Sequence, residues 1–323
     1  MGMVVNCVAY KGGVKIGDIT IEDISEVLKE EGTFVWLGLH EPNEELLQKI
    51  QEEFGLHDLA IEDAHAAHQR PKLEEYGDSL FVVLQTAQLF ENVIHFGETH
   101  IFAGHRFLVS VRHGPSLTYA NVRRRCEAEP EQLAQGPGFA LYGIMDFIVD
   151  NYRPIVDSLR ERFDKLEAEI FKQRVDRDCL QDLYDLKRQL LKLQAAAEPL
   201  LEICNTLMRF QTGIIPKETR VYFRDIRDHV GRVMQATNDM REMLTAAMQV
   251  NLALVTVGQN EVVKKLAGWG AILAIPTMVF SLYGMNFKHM PELNLPLGYP
   301  MVIGGVVLGC IWLYKRLKRV GWL

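Results

Sequence analysis

The sequence lacks the patterns that mark most enzymes, disulfide scaffolds and zinc sites. Its five cysteines form no Cys-x-x-Cys pair and have no zinc-ligand spacing, which indicates reduced cysteines. It contains no HExxH motif, no nucleophile elbow and no phosphate-binding glycine loop, so we expect no enzyme. Residues 1–10 have no basic n-region and only a short apolar stretch, so we expect the N-terminal part to stay in the cytoplasm.

Charge and apolar residues are unevenly distributed over the 323 residues. The net charge is -7 although the last residues are basic, and such an acidic soluble part argues against nucleic acid as a partner. Two runs without formal charge, Leu266–Tyr283 and Leu295–Tyr314, are 18 and 20 residues long. As helices, each can roughly span a bilayer core of about 30 Å. The sequence therefore predicts a large soluble part followed by a transmembrane hairpin.

Basic residues on both sides of this hairpin predict its orientation. Lys264 and Lys265 precede the first run, and four basic residues lie within the tail 315–323. Because positive charge is retained on the cytoplasmic side, both termini are expected in the cytosol, and the loop 284–294 outside. The predicted location is the cytoplasmic (inner) membrane, crossed by spans 266–283 and 295–314.

The soluble part divides into an α/β domain, 1–145, and a helical stalk, 146–265. Short β-rich runs alternate with helical patterns in the first segment, and a hairpin strand is expected within 91–104. In the second, apolar residues recur at spacings of three and four, which is typical of coiled-coil-like helices. No proline lies between Pro216 and Pro276, so one helix of about 65 residues is predicted from about Glu218 to Tyr283. The fold class is thus an α/β domain plus a long helix that enters the hairpin.

A stripe of small or polar residues follows one face of the first span. Two spans per chain can enclose a pore only if several chains surround an axis. The stripe makes the first span the better candidate for lining that pore, but the same residue types also suit a close-packed helix interface. Its members are Asn260, Ala267, Gly270, Ala274, Thr277 and Ser281.

The tripeptide Gly284-Met285-Asn286 closes the first span and favours the pore. A ring of Asn286 amides offers oxygen dipoles without fixed charge, which suits a hydrated, hard cation such as Mg²⁺. Gly284 gives the backbone freedom to leave the helix, and Met285 can pack the turn. On the tripeptide alone, an ordinary helix end followed by a loop is the better explanation of the pattern.

Longer motifs carry a family resemblance over essentially the whole chain. The sequence resembles the CorA family of magnesium/cobalt transporters through 283–287 (YGMNF), the loop 290–293 (MPEL), 298–300 (GYP) and the C-terminal Trp322-Leu323. Upstream matches are 54–57 (FGLH), 61–63 (IED), 69–72 (QRPK), 74–76 (EEY), 222–225 (YFRD), 228–229 (DH) and 260–262 (NEV).

The resemblance implies a funnel-shaped homopentamer that carries Mg²⁺, often also Co²⁺ and Ni²⁺, across the membrane. It implies a selectivity filter at Gly284, Met285 and Asn286, and an outer ring of second spans that faces lipid. It further implies an inter-subunit regulatory Mg²⁺ site at Asp225, with Glu91 as the expected partner. The implied pore-lining residues are Asn260, Leu266, Gly270, Ala274 and Thr277.

Several departures and alternatives stay open. Gln249, Val263 and Ala274 occupy positions where relatives place an acid or methionines, so the gate position and the preferred ion are not fixed by the resemblance. A zinc transporter of the same superfamily, from a branch that can couple transport to protons, is the first alternative, although Met285 argues against it. A membrane-anchored metal sensor and a coiled-coil scaffold are the others. The sensor would use Glu62, Asp63, His65 and His68.

Overall fold

The structure is a computed structural model that describes residues 3–67, 69–115, 117–171, 177–209, 213–286, 290 and 295–323. It divides into two compact units, Met1–Thr245 and Ala246–Leu323. The expected loop residues 287–289 and 291–294, and His68 of the sensor hypothesis, lie outside the described residues. The strands are β1 (Val4–Lys11), β2 (Val14–Asp18), β3 (Thr33–His40), β4 (Lys72–Tyr76), β5 (Ser79–Phe90), β6 (Val93–Ala103) and β7 (Phe107–His113). The helices are α1 (Ile24–Val27), α2 (Glu44–Phe54), α3 (Asp58–Ala66), α4 (Ala120–Glu127), α5 (Pro130–Leu133), α6 (Pro137–Asp150), α7 (Tyr152–Phe171), α8 (Arg177–Arg209), α9 (Lys217–Tyr283) and α10 (Gly298–Arg319).

The strands of the first unit form one mixed sheet with helices on both faces. Their order is β2-β1-β3-β7-β6-β5-β4, and β3 and β7 are the parallel pair within it. Side chains alternate across a strand, so Val35, Leu37 and Leu39 of β3 point to one face, where they pack with α1, α2 and α3. The intervening Trp36 points to the second face, toward which α4 and α6 pack. Both faces are therefore buried, which explains the nearly continuous apolar run of β3.

The predicted α/β class is confirmed, and the hairpin strand expected within 91–104 is β6. Helix α2 is capped by Asn43, whose Oδ1 accepts a hydrogen bond from the Leu46 amide at 3.0 Å. The sequence did not predict β2 or β4, which form the two edges of the sheet. All of their residues are exposed or only half-buried, so their residues give little of the apolar alternation that marks a strand.

The long helices bury the predicted apolar seams. The seam residues of α7 and α8 are nearly inaccessible to solvent, in agreement with their spacing of three and four. Helix α9 is one continuous helix of 67 residues, as predicted, with Pro276 inside it. The buried seam residues are Ile155, Leu159, Phe163, Leu166, Ile170, Leu183, Leu186, Leu190 and Leu193.

His100 of β6 and His113, the last residue of β7, lie side by side, the first buried and the second half-buried. The ring centroids of His100 and His113 are 5.1 Å apart. His100 Nε2 lies 3.2 Å from a carboxylate oxygen of Glu98, and His113 Nδ1 lies 3.4 Å from one of Glu41. Burial, together with the neighbouring His100, lowers the pKa of His113, although Glu41 opposes this effect. The fold therefore favours the neutral form of His113.

Acidification is expected to destabilise the first unit, Met1–Thr245 (the soluble unit), through His113. Between the ordinary histidine pKa of about 6.5 and the lower value in the fold, the unfolded chain binds more protons than the folded chain. The free energy of unfolding should thus fall as the pH drops below about 6.5. His113→Gln should flatten this dependence in thermal unfolding of the full chain, whereas the exposed His95→Gln should keep it. An unchanged pH slope in His113→Gln would contradict the assignment.

Candidate functional site

The stripe predicted on the first span is exposed along α9. Asn260, Gly270, Ala274 and Thr277 are all exposed in the chain, as are the remaining stripe residues. Leu266, another of the implied pore-lining residues, lies at the border of this stripe and is 74% exposed. The stripe therefore forms an open face that mixes small residues with amide and hydroxyl groups.

Helix α10 packs against a different face of α9. Gly268 is buried, and a Cβ added there would lie 3.2 Å from the Leu323 side chain. The rings of Trp269 and Tyr314 lie 6.2 Å apart between centroids, and Ile272 contacts Cys310. Successive residues of a helix are about 100° apart around its axis. The half-buried residues of α9 within the first span and the residues of the stripe are therefore centred about 170° apart around the axis of α9. Within the described residues, the packing of α10 does not explain the stripe.

Pro276 creates a local problem in α9 that α10 helps to solve. Proline has no amide hydrogen, so the carbonyl of Ile272, four residues earlier, loses its helical donor. The Cys310 thiol of α10 lies 3.7 Å from that carbonyl oxygen and donates to it. One residue after the proline, the Thr277 hydroxyl donates to the Leu273 carbonyl at 2.8 Å. The helical hydrogen bonding of α9 is therefore interrupted next to Thr277, a member of the stripe.

The Gly-Met-Asn tripeptide follows directly after α9. The amide of Gly284 donates to the Phe280 carbonyl at 2.9 Å, and that of Met285 to the Leu282 carbonyl at 3.3 Å. Gly284 does not have a left-handed φ, and an added Cβ would make ordinary contacts. The backbone of a single chain therefore does not demand glycine here. The side chains of Met285 and Asn286 are exposed at this helix end.

A second group of ligand atoms lies in the soluble unit, between α6 and α9. Asp146, Asp225 and His229 each offer one ligand atom, and these three atoms lie within 4.8 Å of one another. His229 Nε2 is 3.5 Å from Asp225, one helical turn away, and its Nδ1 is 3.3 Å from Asp150. Among the described residues, this is the one place where three His, Cys, Asp or Glu ligand atoms come together. It brings the predicted Asp225 together with residues of another helix.

The charge balance of this group favours a cation. Burial, strengthened by the carboxylate of Asp150, raises the pKa of Asp146, although Arg125 at 2.8 Å opposes the shift. A divalent cation would relieve the same repulsion. Carboxylate oxygens suit Mg²⁺, whereas an imidazole suits Co²⁺ and Ni²⁺, so the donor set fits either class. Asp225 itself is 60% exposed, which leaves room for a further ligand.

Sequence reasoning found only part of this group. Only Asp225 was named as a site residue, through the family resemblance. His229 lies four residues further along the same helix, and this spacing places both side chains on one face, which is a signal that could have found it. Asp146 and Asp150 lie on α6, and no local pattern connects them with α9. Glu91, the predicted partner, lies in the turn after β5 with a φ of 48° and is not a member of this group within the chain.

The residues of the sensor hypothesis have other contacts. Asp63 accepts a hydrogen bond from Lys72 at 2.7 Å, and His65 lies 3.8 Å from Glu44. In the part of the chain that the structure describes, Glu62, Asp63 and His65 do not form a group with three ligands. These contacts give that face no metal-binding geometry.

An α/β unit followed by two long apolar helices, α9 and α10, indicates a membrane protein. Two helices in the described residues, α9 and α10, are long and apolar enough to cross a membrane. Residues 31–319 match the family described as CorA-like Mg²⁺ transporter protein. The chain belongs to this CorA-like family, as the sequence motifs predicted, and is a transporter rather than an enzyme.

Individual relatives agree with this assignment over nearly full length. The chain is 29% identical over 311 residues to the cobalt/magnesium transport protein CorA of Thermotoga maritima, covering 93% of this chain and 87% of that protein. The chain is also 24% identical over 311 residues to the cobalt/magnesium transport protein CorA of Methanocaldococcus jannaschii, covering 96% of this chain and 98% of that protein. The complete structure of the CorA magnesium transporter from M. jannaschii matches with a TM-score of 0.80 at 22% identity, covering 99% of each chain. The predicted fold class is therefore confirmed over the full chain.

Removing the thiol of Cys310 should loosen the hairpin. Cys310→Val has a similar shape but no donor, so the Ile272 carbonyl would lose its partner next to Pro276. A loss of about 0.6 kcal/mol, typical of interhelical hydrogen bonds in membranes, should lower the Tm of the full chain in detergent. Cys310→Ser keeps a donor and should retain the wild-type Tm. A lower Tm in the serine variant than in the valine variant would argue against this role.

Proposed function

We propose that this chain forms a channel for divalent cations, with Mg²⁺ as the main ion and Co²⁺ and Ni²⁺ as further ions. The observation that carries this proposal is the exposed stripe of α9, which lies on the side opposite the packing of α10. An exposed face of amides, hydroxyls and small residues is costly in lipid but suits a water-filled path. The names of the CorA relatives, which transport cobalt and magnesium, support this choice of ions.

The pore requires several chains, and we propose a homopentamer. One hairpin cannot enclose a path, so α9 from each subunit would line the axis, while α10 would face lipid in an outer ring. Asn260, Gly270, Ala274 and Thr277 would then repeat as rings along the pore. Leu266 would form the hydrophobic constriction, which can gate by losing its water.

We further propose that both termini are cytosolic. Segment 1–145 would form the cytosolic domain, 146–265 the stalk and 266–323 the hairpin in the cytoplasmic membrane. Lys264 and Lys265 before the first span, and the basic tail after the second, support this orientation through the positive-inside rule. The loop after Asn286 would then face the outside.

The outer selectivity site would be a ring of Asn286 amides, supported by Gly284 and Met285. Amide oxygens can bind a cation through its water shell, and Mg²⁺ gives up its waters reluctantly. The ring carries no fixed charge, so an ion can also leave it, as conduction requires. The exposure of Asn286 at the end of α9 supports this role.

Regulation would use the group formed by Asp146, Asp225 and His229, with Glu91 contributed by a neighbouring subunit. Carboxylates on adjacent subunits repel each other unless a cation lies between them. Intracellular Mg²⁺ would thus stabilise a closed arrangement, and its loss would shift the population toward conduction. The raised pKa of Asp146 and the exposure of Asp225 support a cation at this position.

Asn286→Ala should abolish most Mg²⁺ uptake. In liposomes that contain the purified full chain and a magnesium-sensitive dye, we expect the initial rate to fall by at least about tenfold, the effect of losing about 1.4 kcal/mol of ion stabilisation. Asn121→Ala removes an equally exposed amide from α4 and should leave the rate unchanged.

Other outcomes of this assay would change the proposal. Zinc uptake that depends on a pH gradient, without Mg²⁺ uptake, would indicate the zinc transporter. Unchanged Mg²⁺ uptake in Asn286→Ala would remove the amide ring from the mechanism. No flux of any divalent ion through the folded chain would return attention to the anchored sensor.

Asp225→Asn should weaken closure by internal Mg²⁺. Loss of one carboxylate from the group should raise the internal Mg²⁺ concentration that half-closes the channel by about fivefold or more, within the usual range of coupling energies. Asp228→Asn is the matched control, because Asp228 is exposed on the same helix and pairs with Arg227 instead. Full closure of Asp225→Asn at the wild-type concentration would exclude this group as the sensor.

A further inference from the structure

A small cavity lies on the second face of the sheet, beside the start of α4. Its volume is about 130 Å³, enough for several water molecules or for one tetrahedral oxyanion. β3 and β7 form its floor, and the first turn of α4 forms one wall. None of the proposed pore or regulatory residues lines it. Its polar lining includes Ser110, Arg112, Thr118 and Arg123.

Arg112 places a buried positive charge in this cavity. The residue is only 8% exposed, and burial lowers its pKa. Its Nη1 donates to the Leu117 carbonyl at 2.9 Å, and the guanidinium lies 5.6 Å from the centre of the Tyr119 ring. Among the described residues no carboxylate lies within ion-pair distance of Arg112. A buried charge is normally paired, so the cavity lacks the negative charge that would balance it.

The first turn of α4 adds further groups that favour an anion. Its N-cap residue, Tyr119, provides no side-chain cap at the start of this eight-residue helix. The Ala120 amide donates to Thr118 Oγ1 at 3.3 Å, which leaves the hydroxyl proton of Thr118 free to donate elsewhere. The helix dipole also favours negative charge at this end.

Arg123 supplies a second guanidinium from the same helix. It lines the cavity and is about a quarter exposed, so it can reach a ligand without being fully buried. Its Nε lies 3.7 Å from Glu127, one turn further along α4, which is a long and partly exposed ion pair. Two arginines, one hydroxyl and a helix N-terminus therefore converge on one small space.

We propose that this cavity binds a small tetrahedral oxyanion of the phosphate class. Arg112 and Arg123 would bind its oxygens with their planar donor groups, while the Thr118 hydroxyl would complete the shell. The ligand is either inorganic phosphate or the terminal phosphate of a nucleotide, because the chemistry of the bound group is the same in both. This proposal does not depend on the proposed ion conduction.

Binding of inorganic phosphate tests the proposal directly. The full chain in detergent, in a Mg²⁺-free chloride buffer, is titrated with phosphate by calorimetry. We expect one saturable site per chain, weakened at least about tenfold in Arg112→Met and in Arg123→Gln, since each loses a charge-assisted hydrogen bond. Arg124→Gln is the matched control, because Arg124 is the next residue of α4, bonds to Asn121 and does not line the cavity.

The same titration with ADP and with sulfate identifies the source of the bound group. Binding of ADP without binding of phosphate, with the same dependence on Arg112 and Arg123, supports the proposal with a nucleotide as the source. If Arg112→Met does not fold, as judged by circular dichroism and gel filtration, Arg123→Gln alone decides. No saturable binding of any of the three ligands by the folded wild type would overturn the proposal. Equal binding by wild type and both variants would also overturn it.

Discussion

The hydrocarbon core of a membrane offers no hydrogen-bond partners to a protein backbone, and the C-terminal part of this chain depends on that constraint. Helices α9 and α10 satisfy their amides and carbonyls internally, except where Pro276 leaves the Ile272 carbonyl without its donor. The Cys310 thiol of α10 reaches that carbonyl. This contact lies on the face of α9 that α10 covers, and the small and polar stripe is open on the other side.

A related rule governs the soluble unit, where ionisable groups are buried and must be balanced. Arg125 partly balances Asp146, and a cation at the group with Asp225 and His229 would complete that balance. Burial disfavours the charged form of His113 and lowers its pKa. Arg112 is the contrasting case, a buried cation without a carboxylate nearby among the described residues. The excess negative charge beside Asp146 is the reason for proposing a bound cation there. The excess positive charge of Arg112 is the reason for proposing a bound anion.

Much of the fold could be predicted because its signals are local. The absence of proline between Pro216 and Pro276 and the apolar spacing of three and four were sufficient for α9 and for the seams of α7 and α8. Strong apolar runs located the inner strands. The edge strands β2 and β4 were missed, because their exposed or half-buried residues do not alternate and their pairing is decided by distant partners.

The candidate site could likewise be predicted only where its signals are local. The sequence by itself determined the stripe, the tripeptide at the end of α9 and the family, since each depends on residues close together in the chain or on matched motifs. Only the tertiary structure decided that α10 covers the face opposite the stripe, that Asp146 joins Asp225 and His229, and that Arg112 is buried in a cavity beside α4. These are contacts between elements far apart in sequence, and local spacing carries no information about which distant side chains packing will bring together.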